Sequence, residues 1–210
     1  MTQSGCALSE TKTVYIFRHG ETDWNKEGRV QGHTDIPLNA HGREQAKRLQ
    51  DFFRKHPVEV FLSSDLMRAF ETAKIASNGK IKIVTDRRLR ETSLGKAEGL
   101  TKEEIIAKFG LSAWEAWHSV QPEGWDARFP EGESKREHLA RLILALEEYL
   151  NSCSEKAIGV ASHGGAMRRV LHHLNPDLTD AVPIGNGVVY AMTYHPVSHK
   201  WSVNLTPMHV

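Results

Sequence analysis

The chain has 210 residues, 40% hydrophobic and 25% charged, and its 27 Lys and Arg nearly balance its 26 Asp and Glu, for a formal net charge of +1. That length suits one sizeable core or two very small ones. The balanced charge implies no broad basic surface for nucleic acid or anionic membrane, though a local basic pocket fits it, and no apolar run reaches the roughly 18 residues of a membrane span.

Residues 1–11 are polar and small and read as a loose extension, without the basic and apolar regions of a secretion signal. Two cysteines, Cys6 and Cys153, make neither a disulfide framework nor a metal cluster, which favours a reducing cytoplasm. Thr13–Phe17 is apolar, β-branched and aromatic, as a buried strand should be. Residues 23–38 look like a loop, carrying Gly28, Gly32 and Pro37. Asn39 caps a helix whose Ala46, Leu49, Phe52 and Phe53 recur at helical spacing. Val58–Leu62 reads as a second strand, and Asp65 is the N-cap candidate for the next helix, with Leu66, Ala69, Ala73 and Ala76 on one face and Asn78-Gly79 at its end.

A third strand fits Ile81–Val84. Residues 92–133 differ, being richer in Gly, Glu and Trp with one or two short helices near 101–118, and read as an inserted, lid-like segment within a single 1–210 domain. Ser134 opens a long helix to about Asn151 with Leu139, Leu142, Ile143, Leu146 and Leu150 as its apolar stripe. Ile158–Ala161 is the next strand, Gly165 leads into a helix to about Leu174, and Val188–Tyr194 and Trp201–Leu205 are closing strands. Alternating strands and helices predict an α/β fold of three layers, a mostly parallel sheet with helices on both faces.

In open parallel sheets ligands bind beyond the carboxyl ends of the strands. Arg18-His19-Gly20 follows the first predicted strand, Ser63-Ser64 with Arg68 the second, Glu91 the third and Ser162-His163-Gly164 the later one. Three cationic elements on one rim fit a dianion, with a carboxylate beside them as acid–base partner. The helix after Gly165 adds its N-terminal N–H groups. A histidine taken singly is more often structural, and the chain has 12. Glu98 and Glu103 compete with Glu91 for the acid–base role. Asn25, Gln31 and Gly32 suit ligand contact or plain turn chemistry, and Thr22 is a further binding candidate. Arg87, Arg88 and Arg90 fit a solvated basic turn better than a second phosphate site. His172, His173, His195 and His199 lack the accompanying ligands of a metal site. Trp114, Trp117, Trp125 and Phe129 suit either an apolar lid or the packing of the inserted segment. Lys96, His118 and Arg128 are candidate contacts to the organic part of a substrate.

The ordered set Arg18-His-Gly-Glu-Thr-Asp-Trp-Asn25, Gln31-Gly32, Ser63 to Ala73, Leu89-Arg-Glu91, Gly132-Glu-Ser134 and Ser162-His163-Gly164 resembles the histidine phosphatase superfamily, also called phosphoglycerate mutase-like, from residue 13 to about 205. The resemblance implies that His19 is a nucleophile forming a phosphohistidine. It implies further that Arg18, Arg68 and His163 bind the transferring group with Asn25 reaching it, and that Glu91 is the general acid and then base. Similar mutases carry Ser at the position of Thr22, a longer insertion with more basic residues and a Tyr-Gly-x-Leu-type stretch after the acid. Here Glu91-Thr-Ser-Leu-Gly-Lys-Ala-Glu-Gly99 looks like the phosphatase branches, and Phe70 stands where some relatives have a second Arg.

The expectation is therefore a cytoplasmic, metal-independent phosphomonoesterase acting on a small phosphorylated metabolite, without cofactor and without nucleic-acid or membrane partners, its oligomeric state open. The alternatives are a mutase primed by 2,3-bisphosphoglycerate and a non-catalytic phosphoryl-binding protein on the same fold.

Overall fold

Residues 14–17 are apolar without a break because both faces of their strand are covered. The computed structural model describes residues 11–121, 124–178 and 182–208; Cys6 and almost all of the expected N-terminal extension lie outside that set. In strand β1 (Lys12–Arg18), Val14 and Ile16 enter one core while Tyr15 and Phe17 enter the other. β2 (Val60–Ser63) and β4 (Ala157–Ser162) divide in the same way, Val60, Leu62, Ile158 and Val160 on one side and Phe61 and Ala161 on the other. Continuous apolar runs of this kind mark the interior of a parallel sheet.

The sheet runs β3-β2-β4-β1-β5-β6. β1, β2, β3 (Lys82–Thr85) and β4 pair in parallel, while β5 (Val189–His195) runs antiparallel to β1, and β6 (Lys200–Met208) antiparallel to β5. Helix α1 (Asp23–Lys26) lies inside the stretch expected to be loop, with a capping box between Thr22 and Asn25. Its four residues are too few for any periodicity to be visible. Helices α2 (Ala40–Lys55) and α3 (Met67–Ala76) cover one face, α6 (Lys135–Ser152) and α7 (Gly164–Leu174) the other. Asn39 and Ser134 cap α2 and α6 as their positions suggested.

Asp65 does not cap α3. Its carboxylate pairs with Arg90 at 2.6 and 2.7 Å, and Asp35, from the distant loop, accepts the N–H of Met67 at 2.8 Å. Sequence proximity chose the wrong aspartate because the one supplying the cap arrives through tertiary folding. The 92–133 segment carries α4 (Lys102–Phe109) and α5 (Leu111–His118) and builds its own small core from Leu94, Ala97, Ile105 and Phe129.

Two features aim the strands at a common point. Arg18 pairs with Ser162 in the β1–β4 ladder, and the His19 N–H donates to the Ser162 carbonyl at 3.0 Å, so the two chains leave the sheet side by side. The start of α2 presses on the following loop: a Cβ on Gly42 would fall on the Glu21 backbone, and one on Gly20 on the Gly42 carbonyl. Gly→Ala inside a helix ordinarily stabilises by up to about 1 kcal/mol. Here the added methyl meets backbone that cannot turn away, so Gly42→Ala should instead destabilise by about 1–3 kcal/mol, read as a lower urea midpoint at unchanged slope.

Candidate active site

Beyond the carboxyl ends of β1, β2 and β4 a cavity of about 230 Å³ opens, lined by Arg18, His19, Asn25, Gln31, Gly32, Arg68, Glu91, Gly164 and Gly165, and also by Arg29, Trp117, His118, Arg168, Arg169 and Ile184. His19 is buried, and its Nδ1 lies 2.6 Å from the Gly20 carbonyl. A carbonyl only accepts, so Nδ1 carries the proton and the lone pair belongs to Nε2. Burial, reinforced by Arg68 and Arg18, holds the His19 pKa well below the usual imidazole value. His163 follows β4 directly, its ring 5.2 Å from that of His19. It too is buried and held well below the ordinary value, by burial and then by Arg68 and His19.

The two central arginines are held by neutral acceptors. Arg68 donates to the carbonyls of Gly32 and Thr34 at 2.7 and 2.9 Å, and Arg18 to that of Ile184 at 2.8 Å. Carbonyls satisfy N–H groups without cancelling the charge, so both guanidiniums keep their full attraction for an anion. Burial pulls the Arg68 pKa down to about 10, still charged at neutral pH. Among the described residues Arg18 Nε, Arg68 Nε and both ring nitrogens of His163 are buried without a hydrogen-bond partner. Buried polar groups are normally paired, so donors left bare at one point are those an oxygen-rich ligand would use.

Glu91 sits across from them. Its carboxylate accepts the Gly165 N–H, at the start of α7, and the Thr92 N–H at 2.7 and 2.8 Å. Its backbone carbonyl is gripped by Arg141 at 2.7 Å and by His33 at 2.9 Å, and Arg141 also binds the carbonyls of Arg88 and Arg90. Behind it the buried His138 donates Nε2–H to the Arg90 carbonyl and accepts the Thr92 hydroxyl at Nδ1. The competing acids are occupied elsewhere. Glu98 accepts from His33, Thr34 and Leu94 and so shapes the loop of Gln31 and Gly32, while Glu103 belongs to the first turn of α4.

Arg18, His19, Arg68 and Glu91 thus meet around one cavity, and the buried His163 sets its ring against that of His19. Asn25 lines it, its Oδ1 engaged by Thr22 and Asn186, which leaves its amide N–H₂ for the cavity. Thr22 is not part of the lining: it is fully buried and spends its side chain on the α1 cap. Of the four aromatic lid candidates Trp117 alone reaches the cavity; Phe129 packs the small core and Trp125 donates to the Val120 carbonyl. His118 lines the cavity, whereas Lys96 and Arg128 pair with Glu131 and Glu137 on the surface. Arg88 is taken up by Asp86 and Glu148 and Arg90 by Asp65.

Sequence reasoning missed Arg141, Asn186, Arg168 and Arg169. The last two had a usable signal: helical side chains lean toward the N-terminus, so arginines just after the first turn of a helix that starts at the site reach back to it. Among the described residues no three His, Cys, Asp or Glu side chains are grouped to hold a metal, and no helix is long and apolar enough to cross a membrane.

The family model of the histidine phosphatase superfamily, branch 1, matches residues 14–205. Phosphoglycerate mutase-like protein 4 of Arabidopsis thaliana is 35% identical over 196 residues, spanning 91% of this chain and 83% of its own. The structure of a mycobacterial glucosyl-3-phosphoglycerate phosphatase with VO3 superposes with a TM-score of 0.80 at 26% identity, over 92% of this chain and 97% of that one. A phosphoglycerate mutase from Bacillus anthracis gives 0.83 at 25% identity, over 93% and 92%.

The buried histidines have a consequence for stability. His19, His138 and His163 are all depressed, so below about pH 6.5 the unfolded chain takes up protons that the folded chain refuses. Stability is therefore lost as pH falls, by up to about 1.4 kcal/mol per pH unit for each histidine until its folded pKa is reached. Urea unfolding between pH 7 and pH 5 should show this slope, and His138→Gln should make it shallower.

Proposed function

The chain belongs to the histidine phosphatase superfamily, branch 1, and from that membership we propose that it is a metal-independent phosphomonoesterase working through phosphohistidine at His19. The observation that carries the proposal is the bare Nε2 of a neutral, buried imidazole, fixed by the Gly20 carbonyl and facing a cavity with Arg18 and Arg68. In the first step the Nε2 lone pair forms a bond to phosphorus while the ester P–O bond breaks, and Glu91 gives its proton to the leaving oxygen. In the second, water attacks phosphorus, Glu91 takes the water's proton and the P–N bond breaks, releasing inorganic phosphate. Arg18, Arg68 and His163 supply donors to the equatorial oxygens, where charge is spread in a loose transition state. Asn25, Gln31, Gly32 and the Gly164 end of α7 complete the anion cradle.

A phosphatase is favoured over a mutase by the segment after Glu91. The one lysine of residues 92–99, Lys96, is tied to Glu131 at the surface, so that stretch contributes no cation to the cavity. The names of the Arabidopsis and Bacillus anthracis proteins support the second reading, phosphoryl return to another hydroxyl of a phosphoglycerate. That reading requires conversion of 3-phosphoglycerate to 2-phosphoglycerate in the presence of a bisphosphate primer.

His19→Ala should abolish both p-nitrophenyl phosphate turnover and acid-labile labelling by a phosphorylated substrate; label that survives the substitution removes the mechanism. Arg68→Ala and His163→Ala should each lower kcat about 10²–10³-fold. Activity should survive excess chelator. Glu91→Gln should slow esters with poor leaving groups far more than p-nitrophenyl phosphate, because the latter needs no proton on departure.

A further inference from the structure

Every side-chain hydrogen bond that Arg68 makes among the described residues goes to one turn. Its terminal nitrogens donate to the carbonyls of Gly32 and Thr34 at 2.7 and 2.9 Å, its Nε is bare, and the side chain is fully buried. Asp35, next in the chain, accepts the N–H of Met67, one position before Arg68 in α3. The aim of the guanidinium is therefore set by residues 32–35. The turn is closed by the Thr34 N–H on the Gln31 carbonyl at 3.0 Å, and Gly32 adopts a φ of +52° within it. By itself such a turn is a loose support, since connecting segments are the more mobile parts of a fold.

What stiffens the turn is Glu98. Its Oε1 accepts the N–H groups of His33 and Leu94 at 2.9 and 3.0 Å, and its Oε2 the N–H and hydroxyl of Thr34 at 2.9 and 2.6 Å. Four donors fill a carboxylate, and bonds to an ionised acceptor are about twice as strong as neutral ones. Glu98 is not among the residues lining the cavity. Its leverage comes from the planar trans peptide, in which N–H and C=O point in opposite directions. The peptide joining Gly32 to His33 has its N–H on Glu98 and its C=O on Arg68. Drawing one end toward Glu98 turns the other onto the guanidinium, and the bond to a carboxylate polarises that carbonyl into a better acceptor. Gly32 leaves room for the contact, since a Cβ there would fall on Glu98 Oε1.

We propose that Glu98 is a positioning residue for phosphoryl binding, holding the peptide between Gly32 and His33 so that its carbonyl fixes Arg68 toward the anion. The role rests on the phosphatase reading for its effect on turnover, whereas its effect on anion binding stands apart from that reading. A clamp with only a structural part would lower stability and leave the folded protein's grip on phosphate unchanged. Positioning instead makes the effect of Glu98 pass through Arg68, so the two residues act as one unit.

The test is a double-mutant cycle on the binding of inorganic phosphate and orthovanadate, read by calorimetric titration below the unfolding midpoint of each variant. Glu98→Ala should weaken both anions about 10-fold, the scale of one charge-assisted hydrogen bond. In an Arg68→Ala background the same change should cost less than about 2-fold. The kcat/KM for p-nitrophenyl phosphate should show the same non-additivity. Glu98→Gln keeps the shape but only one accepting oxygen, so it should weaken binding by a smaller factor. It carries the test if Glu98→Ala does not fold in a thermal melt. Folded Glu98 variants with unchanged anion affinity, or losses of equal size in both backgrounds, overturn the proposal, as does an unaltered protein that binds neither anion. Absence of ester turnover and of His19 labelling, with anion binding retained, would instead count against the phosphatase, and the binding cycle would still judge Glu98.

Discussion

The parallel pairing of β1 with β4 is the constraint on which the site depends. Because Arg18 lies opposite Ser162 and the ladder continues through the His19 N–H, the two histidines leave neighbouring strands at the same level. A slip of one residue would turn every side chain of β1 to the opposite face, sending Phe17 into the wrong core and His19 away from His163. The register is therefore held by two hydrophobic clusters, and the geometry of the site comes with the packing.

The second theme is how cations are kept in low dielectric. Lys12 binds the Cys153 and Glu155 carbonyls, Arg68 those of Gly32 and Thr34, and Arg18 that of Ile184. Neutral acceptors meet the hydrogen-bonding needs of a buried cation while leaving its field intact, which a carboxylate does not. At the surface the pattern reverses, and Arg88, Arg90 and Arg136 face carboxylates. Within the cavity, Arg18 and Arg68 keep their charge uncancelled by any carboxylate hydrogen bond among the described residues. Burial first, and that field second, keep His19 and His163 neutral.

Glu91 shows the complementary problem of holding an acid in a fixed place on an irregular turn. Arg141 and His33 fix its backbone, Thr92 and Gly165 its carboxylate, and His138 fixes Thr92. Gly165 is glycine for a direct reason, since a Cβ there would meet the Glu91 carboxylate. The Glu91 carboxylate is thus placed by α6, α7 and residues 31–34 together, and a change in any of them reaches it.

The sequence by itself determined the layered α/β class, the strand–helix order and the polar clusters at strand ends, because burial of both sheet faces writes apolar runs into local sequence. It also carried His19, Arg18, Arg68, Glu91 and His163, whose residue types stand beside recognisable strand ends. It determined α2 and α6 closely, since Asn39 and Ser134 cap through neighbours three residues on. Tertiary structure alone decided what depends on partners far along the chain: that Asp35 and not Asp65 caps α3, that Thr22 serves a buried cap, and that Arg168 and Arg169 look into the cavity while Lys96 does not. Side-chain chemistry is local, but which acceptor or counter-charge meets it is settled only when helices and sheet close on one another.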